Sequence, residues 1–413
     1  MQQLYPANIA QLSAGSDKLR RLMRRAKRAY NTAAKHIHDT QQFAYNDKPV
    51  KELHKALNAA LQDAVNTGIT HEVPATMLSK IKQDVFVFSG MKTYAELKEL
   101  SSLLIDADGR IKAWPKYLQD ATQLNKVNNE HYLEAEYLQA VGTSQALDKY
   151  LEFEKDGDAY DLQIRTAQDD KVRDSHAVLH NITLPFSHPF WDTHWIPFDW
   201  RCRCNIVQVR KGKYPVTDTE AANAAGKAAV PEMFRYNPAK AQVIFPPKHP
   251  YYAQQCGKKL NVTGSIELAK IVLSNERDKC EWQKRLKEEQ YANYSAKDTK
   301  KWAKSNLRNL IFTHKEVGEI KLTGGSIDEF TNQPFYAPGL KRYVLENLQT
   351  VLDSAKYMGA REKQINDTVR SHILEVKFSE VKSWLIVREN VRKEKILYSI
   401  SDGEKVLDGL TKK

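Results

Sequence analysis

Residues 165–209 read RTAQDDKVRDSHAVLHNITLPFSHPFWDTHWIPFDWRCRCNIVQV, and this stretch decides how the first half of the chain folds. Three prolines, Pro185, Pro189 and Pro197, recur too often for a helix to run through it. Side chains must therefore hold the segment in place, and loops of this length are usually functional or cross-linked. We predict a long irregular loop, called the central loop below, that is fixed by its own side chains.

The central loop concentrates side chains that bind ions and metals. It contains an acid pair, an arginine, four histidines, three tryptophans and two cysteines: Asp169, Asp170, Arg173, His176, His180, His188, His194, Trp191, Trp195, Trp200, Cys202 and Cys204. Because zinc prefers thiolate and imidazole ligands, the Cys-x-Cys pair beside histidines predicts a structural zinc site. The predicted ligands are His176, Cys202, Cys204 and Cys256, with His249 as the alternative fourth ligand.

Other interpretations of the central loop stay open. Cys202 and Cys204 could be small buried apolar side chains, with His176 holding the carboxylate of Asp169 or Asp170. A hydrolytic site with Cys204 as nucleophile is a second interpretation, but the sequence does not indicate an arrangement of base, nucleophile and oxyanion donors. We expect the aromatic residues to wedge the loop in place, and an aromatic docking surface is the alternative.

The same stretch resembles the signature of the phage Mu F-like minor head proteins, also called the phage head morphogenesis family. That signature runs from Arg-Thr-Ala through an acid pair, Val-Arg, a His and Pro-Phe-Trp to a Pro and a closing Cys-Arg-Cys. The matching positions are Arg165, Thr166, Ala167, Asp169, Asp170, Val172, Arg173, His176, Leu179, Pro189, Phe190, Trp191, Pro197, Cys202, Arg203 and Cys204. One departure lies at residues 199–201, where Asp-Trp-Arg stands in place of a turn that more often contains glycine.

The resemblance extends over residues 129–257. Upstream of the loop, an amphipathic helix predicted over 129–153 has a similar run, Ala135, Glu136, Tyr137, Ala140 and Val141. Downstream, a short Ala-rich helix is predicted to stop at Pro231, and a later His-Pro-Tyr-Tyr run resembles the end of the family's domain. The resemblance implies a protein that binds the portal and other capsid proteins and is packaged inside the head of the virion.

Length and composition fit a multidomain protein. At 413 residues the chain is too long for one ordinary core, and 41% hydrophobic residues favour folding over disorder. No apolar run is long enough to cross a bilayer and no signal-peptide core follows Met1, so we expect no membrane partner and synthesis in the host cytoplasm. Four cysteines do not make a disulfide scaffold, and the net charge of +12 favours a polyanionic neighbour, either nucleic acid such as packaged DNA or an acidic protein assembly.

Residues 1–128 are predicted to be a helical N-terminal region. A basic amphipathic helix over 18–35 sets an apolar stripe against a row of cations, Arg20, Arg21, Arg24, Arg25, Lys27 and Arg28. This face could lie on DNA or on an acidic protein, or it could simply be solvated. Further helices are predicted over 50–67 and 93–104, and the Asp-Ala-Asp-Gly run at 106–109 indicates a turn, since the later ligands of a calcium loop are missing.

The last part of the chain has a different pattern. Residues 258–315 are rich in charge and predict a helical spacer, with a disordered tether as the alternative. In residues 316–413, a helix from Pro338 precedes the runs HILEVKF, SWLIVREN and KILYSIS, which predict an antiparallel meander. The chain is thus predicted to be an α+β multidomain protein, mainly helical at first and ending in a small α+β module with an antiparallel sheet.

This C-terminal module resembles the phage nuclease-like modules of the barnase, EndoU, colicin and RelE group, which cut RNA without a metal. Such cleavage needs a base, an acid and cations for the phosphate, and the candidates are His372, Lys377, Arg388, Ser399 and Ser401, with Lys341 and Arg342 as further phosphate-binding residues. On a regular strand, however, His372 shares a face with Leu374 and the opposite face holds Lys377. Only a strand end or a bulge would bring them together, and a semi-buried structural histidine is the alternative.

The favoured function is a minor head protein with a C-terminal ribonuclease toxin, for which the partners would include an RNA substrate and an immunity protein. The alternative is a purely structural minor capsid protein whose C-terminal module only binds a partner. An ADP-ribosyltransferase module is less favoured, because the succession of Arg, Ser-Thr-Ser and Glu-x-Glu that many such enzymes use is missing.

Overall fold

The computed structural model describes residues 17–252, 276–291, 294–365, 368–378 and 381–410. Helices fill most of the first part, and a mixed sheet backed by helices forms the last part, so the predicted α+β class is confirmed. The chain divides into two compact units, Met1–Gln283 and Lys284–Lys413. Among the described helices, none combines the length and the apolar character that crossing a membrane requires.

Long helices build the core of the first unit: α1 (Asp17–Thr40), α2 (Lys48–Gly68), α3 (Ala75–Ser102), α4 (Trp114–Lys126) and α5 (Leu133–Asp156). They form because apolar residues recur at helical spacing, as in α2, where Val50, Leu53, Leu57, Leu61 and Val65 are buried. The helices predicted over 50–67 and 93–104 correspond to α2 and to the second half of α3. The turn predicted at 106–109 is also present, because Asp106 accepts the backbone N–H of Asp108 and of Arg110 at 2.9 Å.

The basic helix α1 packs as its apolar stripe predicts. Ala26, Tyr30 and Ala33 are fully buried in it. The cations of the opposite face are all exposed: Arg20, Arg21, Arg24, Arg25, Lys27 and Arg28. Lys27 pairs with Glu130 at 3.0 Å. The helix therefore belongs to the core and also presents a basic surface.

A π-helical turn, Val127–Tyr132, joins α4 to α5. The sequence predicts a regular helix from residue 129, because the extra residue in a π turn leaves no pattern in composition. The turn itself contains two buried amide side chains. Asn128 Nδ2 donates to Glu99 at 3.0 Å, and Asn129 Nδ2 donates to Glu96 at 3.4 Å. Single π turns of this kind are frequent at functional sites.

A buried ion cluster fastens α3 to α5. The Nζ of Lys92 lies 3.1 Å from Glu96 Oε1 and 3.2 Å from Glu136 Oε2, and none of the three side chains is more than 2% exposed. The Lys92 Nζ also donates to the carbonyl of Asn128 at 3.1 Å, and the Tyr251 hydroxyl donates to Glu136 at 3.0 Å. One cation thus compensates two carboxylates away from solvent, so loss of the cation would leave both uncompensated.

The central loop is anchored by a small antiparallel sheet with the strand order β2-β1-β3. Its strands are β1 (Tyr160–Arg165), β2 (Thr183–Pro185) and β3 (Asn205–Arg210). The sequence does not indicate these strands, because they are short and four consecutive residues of β1 are buried without alternation. Between them the chain is irregular, as predicted, with only the short helices α6 (Asp174–Ala177) and α7 (Phe190–Thr193).

Further helices follow β3: α8 (Thr219–Ala229), α9 (Pro238–Ala241) and α10 (Glu276–Glu289). The predicted Ala-rich helix is α8. It begins at Asp218, whose carboxylate accepts the N–H of Ala221 at 2.9 Å and so satisfies one of the free donors at the helix start. The division between the two units falls within α10.

The second unit places helices on one face of a six-stranded sheet with the order β4-β5-β9-β8-β7-β6. Its elements are α11 (Ala296–Asn306), β4 (Ile311–His314), β5 (Gly318–Lys321), α12 (Gly324–Asn332), α13 (Pro338–Glu346), α14 (Leu348–Ser354), β6 (Lys356–Ile365), β7 (Thr368–Phe378), β8 (Val381–Asn390) and β9 (Lys395–Ser401). Strands β6 to β9 form the predicted antiparallel meander, whereas β5 pairs with β9 in parallel. The sheet is therefore larger than predicted and mixed.

The second unit begins earlier than the predicted boundary at residue 316. Ala303 of α11 is fully buried in the core of this unit, with Trp302 packed against it. β4 pairs with β5 along its whole length. The charged composition of 258–315 therefore reflects amphipathic elements with one solvated face, at least where the structure describes them. Only the part of the predicted spacer before Lys284 lies outside this unit.

The two faces of this sheet have different neighbours. Leu374, Val376 and Phe378 of β7 face the helices in the main core. On the other face, Ile373, Trp384 and Ile386 form a second apolar cluster, against which Val406 and Leu407 pack. This alternation decides which polar side chains of the sheet can meet.

We predict that the ion cluster makes the stability of the first unit depend on pH. Burial raises the pKa of Glu96 to about 7 from 4.5, although Lys92 lowers it. Because the pKa of Glu96 is higher in the folded state than in the unfolded state, its contribution to the free energy of unfolding is fully present below pH 4.5. This contribution falls as pH rises towards 7, by about 3 kcal/mol in all. Calorimetry of Glu96→Gln should show a flatter stability profile across this range.

Glu72→Gln is the matched control, since Glu72 is exposed. It should keep the pH dependence of the parent protein. An unchanged profile in Glu96→Gln would show that Glu96 is ionised throughout this range.

Candidate functional site

The two cysteines of the central loop meet a histidine from the other side of the loop. His176 lies in α6, and Cys202 and Cys204 come just before β3. The His176 Nδ1 lies 3.8 Å from the Sγ of each cysteine, and the backbone N–H of Cys204 donates to the Cys202 Sγ at 3.4 Å. The three ligand atoms all lie within 4.8 Å of one another. Three of the four predicted zinc ligands are therefore brought together.

The spacing of the cysteines explains why both reach the same histidine. In an extended segment, residues i and i+2 point to one side and the residue between them points to the other. Arg203, between the cysteines, accordingly points the other way and forms a bidentate salt bridge with Asp169, in which both N–O distances are 2.6 Å. This pair lowers the pKa of Asp169 to about 2. Asp169 is thus held by Arg203, and the interpretation that it is held by His176 is wrong.

The cysteine thiols are electrostatically unequal. The hydrogen bond from Cys204, with a further contribution from His176, lowers the pKa of Cys202 well below its ordinary value, despite burial. The same interaction with Cys202 raises the pKa of Cys204. The two cysteines therefore contact each other and His176, unlike apolar side chains that only fill space.

His176 is a buried side chain with little room to move. It is 2% exposed, and its ring stands nearly perpendicular to that of Phe198, with 6.1 Å between the ring centres. Its Nε2 has no hydrogen-bond partner in the part of the chain that the structure describes. The ring is thus held by packing, with Nδ1 turned towards the sulfur atoms.

A second arginine fastens the loop from inside. Arg173 donates to the carbonyl of Trp200 at 2.6 Å, and its Nε lies 3.7 Å from the carboxylate of Asp199. Burial raises the pKa of Asp199, although Arg173 lowers it. Arg173 and Asp199 therefore depend on each other, and neither pairing is apparent from sequence spacing.

The turn that departs from the family signature has the backbone shape that glycine favours. Arg201 has φ of 55°, in the left-handed region. Its guanidinium donates to Glu134 at 3.2 Å, on the helix α5. The arginine thus replaces the conformational freedom of glycine with an ion pair that ties the loop to the helices.

The tryptophans wedge the loop, as expected. Trp191 and Trp195 are each 1% exposed, and their rings pack at nearly right angles with 5.8 Å between centres. The Trp191 indole donates to the carbonyl of Pro185 at 2.9 Å, and the Trp195 indole donates to the carbonyl of Ala146 in α5 at 3.0 Å. The aromatic residues are buried, so they do not form a docking surface.

The remaining candidates for a fourth metal ligand are elsewhere. Cys256 lies outside the described residues. His249 is buried against Phe88, Trp200 and Tyr251, and its Nδ1 accepts the backbone N–H of Tyr251 at 3.2 Å. Burial lowers the pKa of His249 to about 3. His249 is therefore a packed core side chain and does not belong to the cluster with His176.

In the second unit, His372 forms a small polar group on the helix-facing side of β7. Its Nε2 lies 2.8 Å from a carboxylate oxygen of Glu389, and its Nδ1 lies 3.2 Å from the hydroxyl of Tyr357. The side chain is 8% exposed, and burial lowers its pKa, although Glu389 raises it. Neither Glu389 nor Tyr357 was predicted for this site. The sequence places a His and a Glu on neighbouring antiparallel strands, but whether they meet depends on the strand register, which the sequence does not show.

The other predicted catalytic residues are not brought to His372. Ser399 lies opposite Ile386 and Ser401 lies opposite Trp384, so both belong to the sheet face that His372 does not share. Arg388 is on that face too, where its guanidinium stacks on the Tyr398 ring at 3.2 Å.

Lys377 pairs with Lys382 across the ladder, and its side chain is outside the described part. The register of β7 and β8 runs from Arg370 to Phe378 without a bulge. The irregularity needed to bring His372 and Lys377 to one face is therefore missing there.

Lys341 and Arg342, predicted to bind phosphate, are buried within the second unit. Lys341 is 3% exposed and donates to the carbonyls of Thr331 and Gln333, and burial lowers its pKa to about 8. Arg342 is 4% exposed, pairs with Glu346 and stacks over Trp302 at 3.7 Å. Both cations are turned away from solvent and paired inside the domain, and their phosphate-binding role stays a prediction.

Comparison with known proteins gives a different result for each unit. Residues 55–207 match the family model described as Phage Mu protein F like protein, from α2 through the central loop into β3. Residues 293–398 match a model described as Large polyvalent protein-associated domain 3. The chain is 32% identical over 65 residues to protein F of Escherichia phage Mu, whose name proposes a role in capsid assembly. No solved structure matches the chain.

The similarity predicted for the first unit is confirmed over this range, which begins well ahead of residue 129. The alignment with the phage Mu protein covers 16% of this chain and 15% of that protein, so the chain spans a small part of this relative's length. For the second unit, the matching model does not support the predicted nuclease resemblance.

We predict that Arg173 stabilises the central loop more than Arg203 does. Arg173→Ala removes the donor of the Trp200 carbonyl and the cation beside Asp199, and should lower the free energy of unfolding by about 1–3 kcal/mol. Arg203→Ala is the matched control, because its pair with Asp169 is solvent-exposed and such pairs contribute little. Calorimetry of both variants tests this, and equal melting temperatures would contradict it.

Proposed function

We propose that this chain is a minor head protein of a phage or prophage and that its first unit binds other head proteins during capsid assembly. The observation that supports this most is where the family match lies. It runs from α2 into β3 and so includes Lys92, Glu96 and Glu136 of the ion cluster and the central loop up to residue 207. The similarity therefore covers helices and a loop that pack together, and the signature residues have structural partners within it.

The signature residues support an assembly role better than a catalytic one. Arg173 holds the loop to its own backbone at Trp200, Trp195 holds it to α5, and Arg203 joins two parts of it through Asp169. A loop fixed in this way presents a rigid surface at little entropic cost on binding, as a protein-binding surface requires.

The basic face of α1 is the surface we propose for the partner. Arg21, Arg24, Arg25 and Arg28 are exposed and have no ion pair among the described residues. Such a row of guanidinium groups favours an acidic protein surface, as on a portal, or the phosphates of packaged DNA. Both contacts would lie inside a phage head, where we place the protein, and both should weaken as salt concentration rises.

We predict that heads of the phage or prophage that encodes this chain contain the protein. Its incorporation into the heads should require the basic face of α1. Mass spectrometry of purified heads should detect it. Replacing Arg21, Arg24, Arg25 and Arg28 together by Gln should reduce its amount per head about tenfold or more, because the electrostatic attraction is lost. The matched control changes four exposed cations of the second unit to Gln, Lys297, Lys301, Arg392 and Lys393, and should leave incorporation unchanged.

Heads that lack the protein, together with normal head yield after deletion of its gene, would refute the assembly role. Equal loss of incorporation in both quadruple variants would show that total charge matters and that the α1 face is not a specific contact.

For the second unit we propose a binding module rather than a ribonuclease toxin. The burial of Lys341 and Arg342 and the separation of His372 from Ser399 and Ser401 across the sheet support this choice. The ribonuclease remains the second candidate, because His372 lies within hydrogen-bond distance of Glu389 and Tyr357, and groups of these types can donate and accept protons. An immunity protein would be a partner only under that second candidate.

We predict that the purified full-length protein leaves RNA intact. Total bacterial RNA incubated with it and run on a gel should show no fragments beyond those in a protein-free sample. Fragmentation that His372→Ala abolishes would contradict the binding module and establish the second candidate. Fragmentation that persists in His372→Ala would also contradict it, and would place the nuclease site elsewhere.

A further inference from the structure

The three ligand atoms of His176, Cys202 and Cys204 are spaced like the corners of a zinc site. Tetrahedral zinc with Zn–S bonds of about 2.3 Å and Zn–N bonds of about 2.0–2.1 Å separates its ligand atoms by roughly 3.5–3.8 Å. The His176 Nδ1 lies 3.8 Å from each sulfur, and the complete set lies within 4.8 Å. An ion at the centre would therefore reach all three atoms with only small shifts.

We infer that His176, Cys202 and Cys204 bind a zinc ion that cross-links the central loop. The donor set selects the metal: two sulfur atoms and one imidazole nitrogen suit zinc, whereas magnesium and calcium require oxygen ligands. This inference stands on the geometry of the first unit and does not depend on the assembly role.

The surroundings form a built site. His176 is 2% exposed and held by Phe198, so the imidazole does not need to be ordered when the ion binds. The two cysteines follow the fixed turn at Arg201 and precede β3, and Arg203 holds the segment between them to Asp169. The segments that carry the ligands are thus held in place by neighbours that do not themselves touch the ion.

The ion would connect two described segments of the central loop, α6 and residues 202–204, which no regular backbone pairing joins directly. The ligands are separated by 26 and 28 residues along the chain, and between them only α7 and β2 are regular. An ion that binds the folded arrangement and not the unfolded chain stabilises the folded one by its binding free energy. Zinc would thereby join α6 to the start of β3 and fix the aromatic wedge between them.

The fourth position opens away from the buried histidine. Both cysteines are partly exposed, so water can reach the ion from their side. We assign this position to water.

The test is the zinc content of the full-length protein purified under reducing conditions. Inductively coupled plasma mass spectrometry should find about one zinc per chain, falling to about a tenth or less in His176→Ala, Cys202→Ser and Cys204→Ser. His131→Ala is the matched control, since His131 is exposed and far along the chain from the loop, and it should retain the metal. Unchanged zinc in all three ligand variants would overturn the assignment.

A second measurement avoids variants that fail to fold. Cobalt added to the metal-free parent protein should give a sulfur-to-cobalt charge-transfer band, which added zinc abolishes. X-ray absorption of the zinc form should show at least two sulfur neighbours at about 2.3 Å and a nitrogen at about 2.0–2.1 Å. No cobalt band, fewer than two sulfur neighbours, or a disulfide between Cys202 and Cys204 in the freshly purified protein would each overturn the site.

Discussion

The first unit depends on the compensation of two buried carboxylates by the single ammonium group of Lys92. Glu96 is one helical turn from Lys92 on α3, whereas Glu136 comes from α5 and the Asn128 carbonyl comes from the π turn. Charges with no solvent around them cannot be left unpaired, so these elements can pack in only one register. The Tyr251 hydroxyl on Glu136 extends the same constraint to the segment that follows α9.

The central loop is attached to this helical frame by polar contacts at several levels. Trp195 donates to a carbonyl of α5, and Arg201 pairs with Glu134 of the same helix. After the loop, Asp84 of α3 accepts the backbone N–H groups of Ile244 and Phe245 at 2.8 and 3.0 Å. These groups replace the regular backbone ladder that the prolines prevent. The rigid loop is therefore a consequence of the frame, and its cysteines and histidine meet because both ends of the loop are fixed.

The second unit illustrates how strand alternation separates residues that look like one site in the sequence. His372, Lys377, Arg388, Ser399 and Ser401 fall within thirty residues of one another, and each belongs to a type that nucleases use. In the sheet, His372 shares its side with the main core, whereas Arg388 and the two serines share the side of Trp384 and Ile386. Side chains on opposite faces of one sheet cannot act on the same phosphate. The group that does form is His372 with Glu389 and Tyr357, which sequence proximity does not indicate.

The sequence by itself determined the features that depend on local order. The amphipathic helices α1 and α2, the turn at 106–109, the antiparallel meander and the irregular, wedged loop all follow from residue spacing and prolines. The Cys-x-Cys pair and its histidine also follow from residue type. Only the tertiary structure decided the ion cluster, the small sheet, the true start of the second unit and the partners of Asp169 and His372. Lys92 and Glu96 did leave a signal, as charges inside an apolar helical run, but Glu136 is forty residues away. Whether a charge is buried, and by what it is compensated, depends on contacts between distant segments, and no local pattern encodes them.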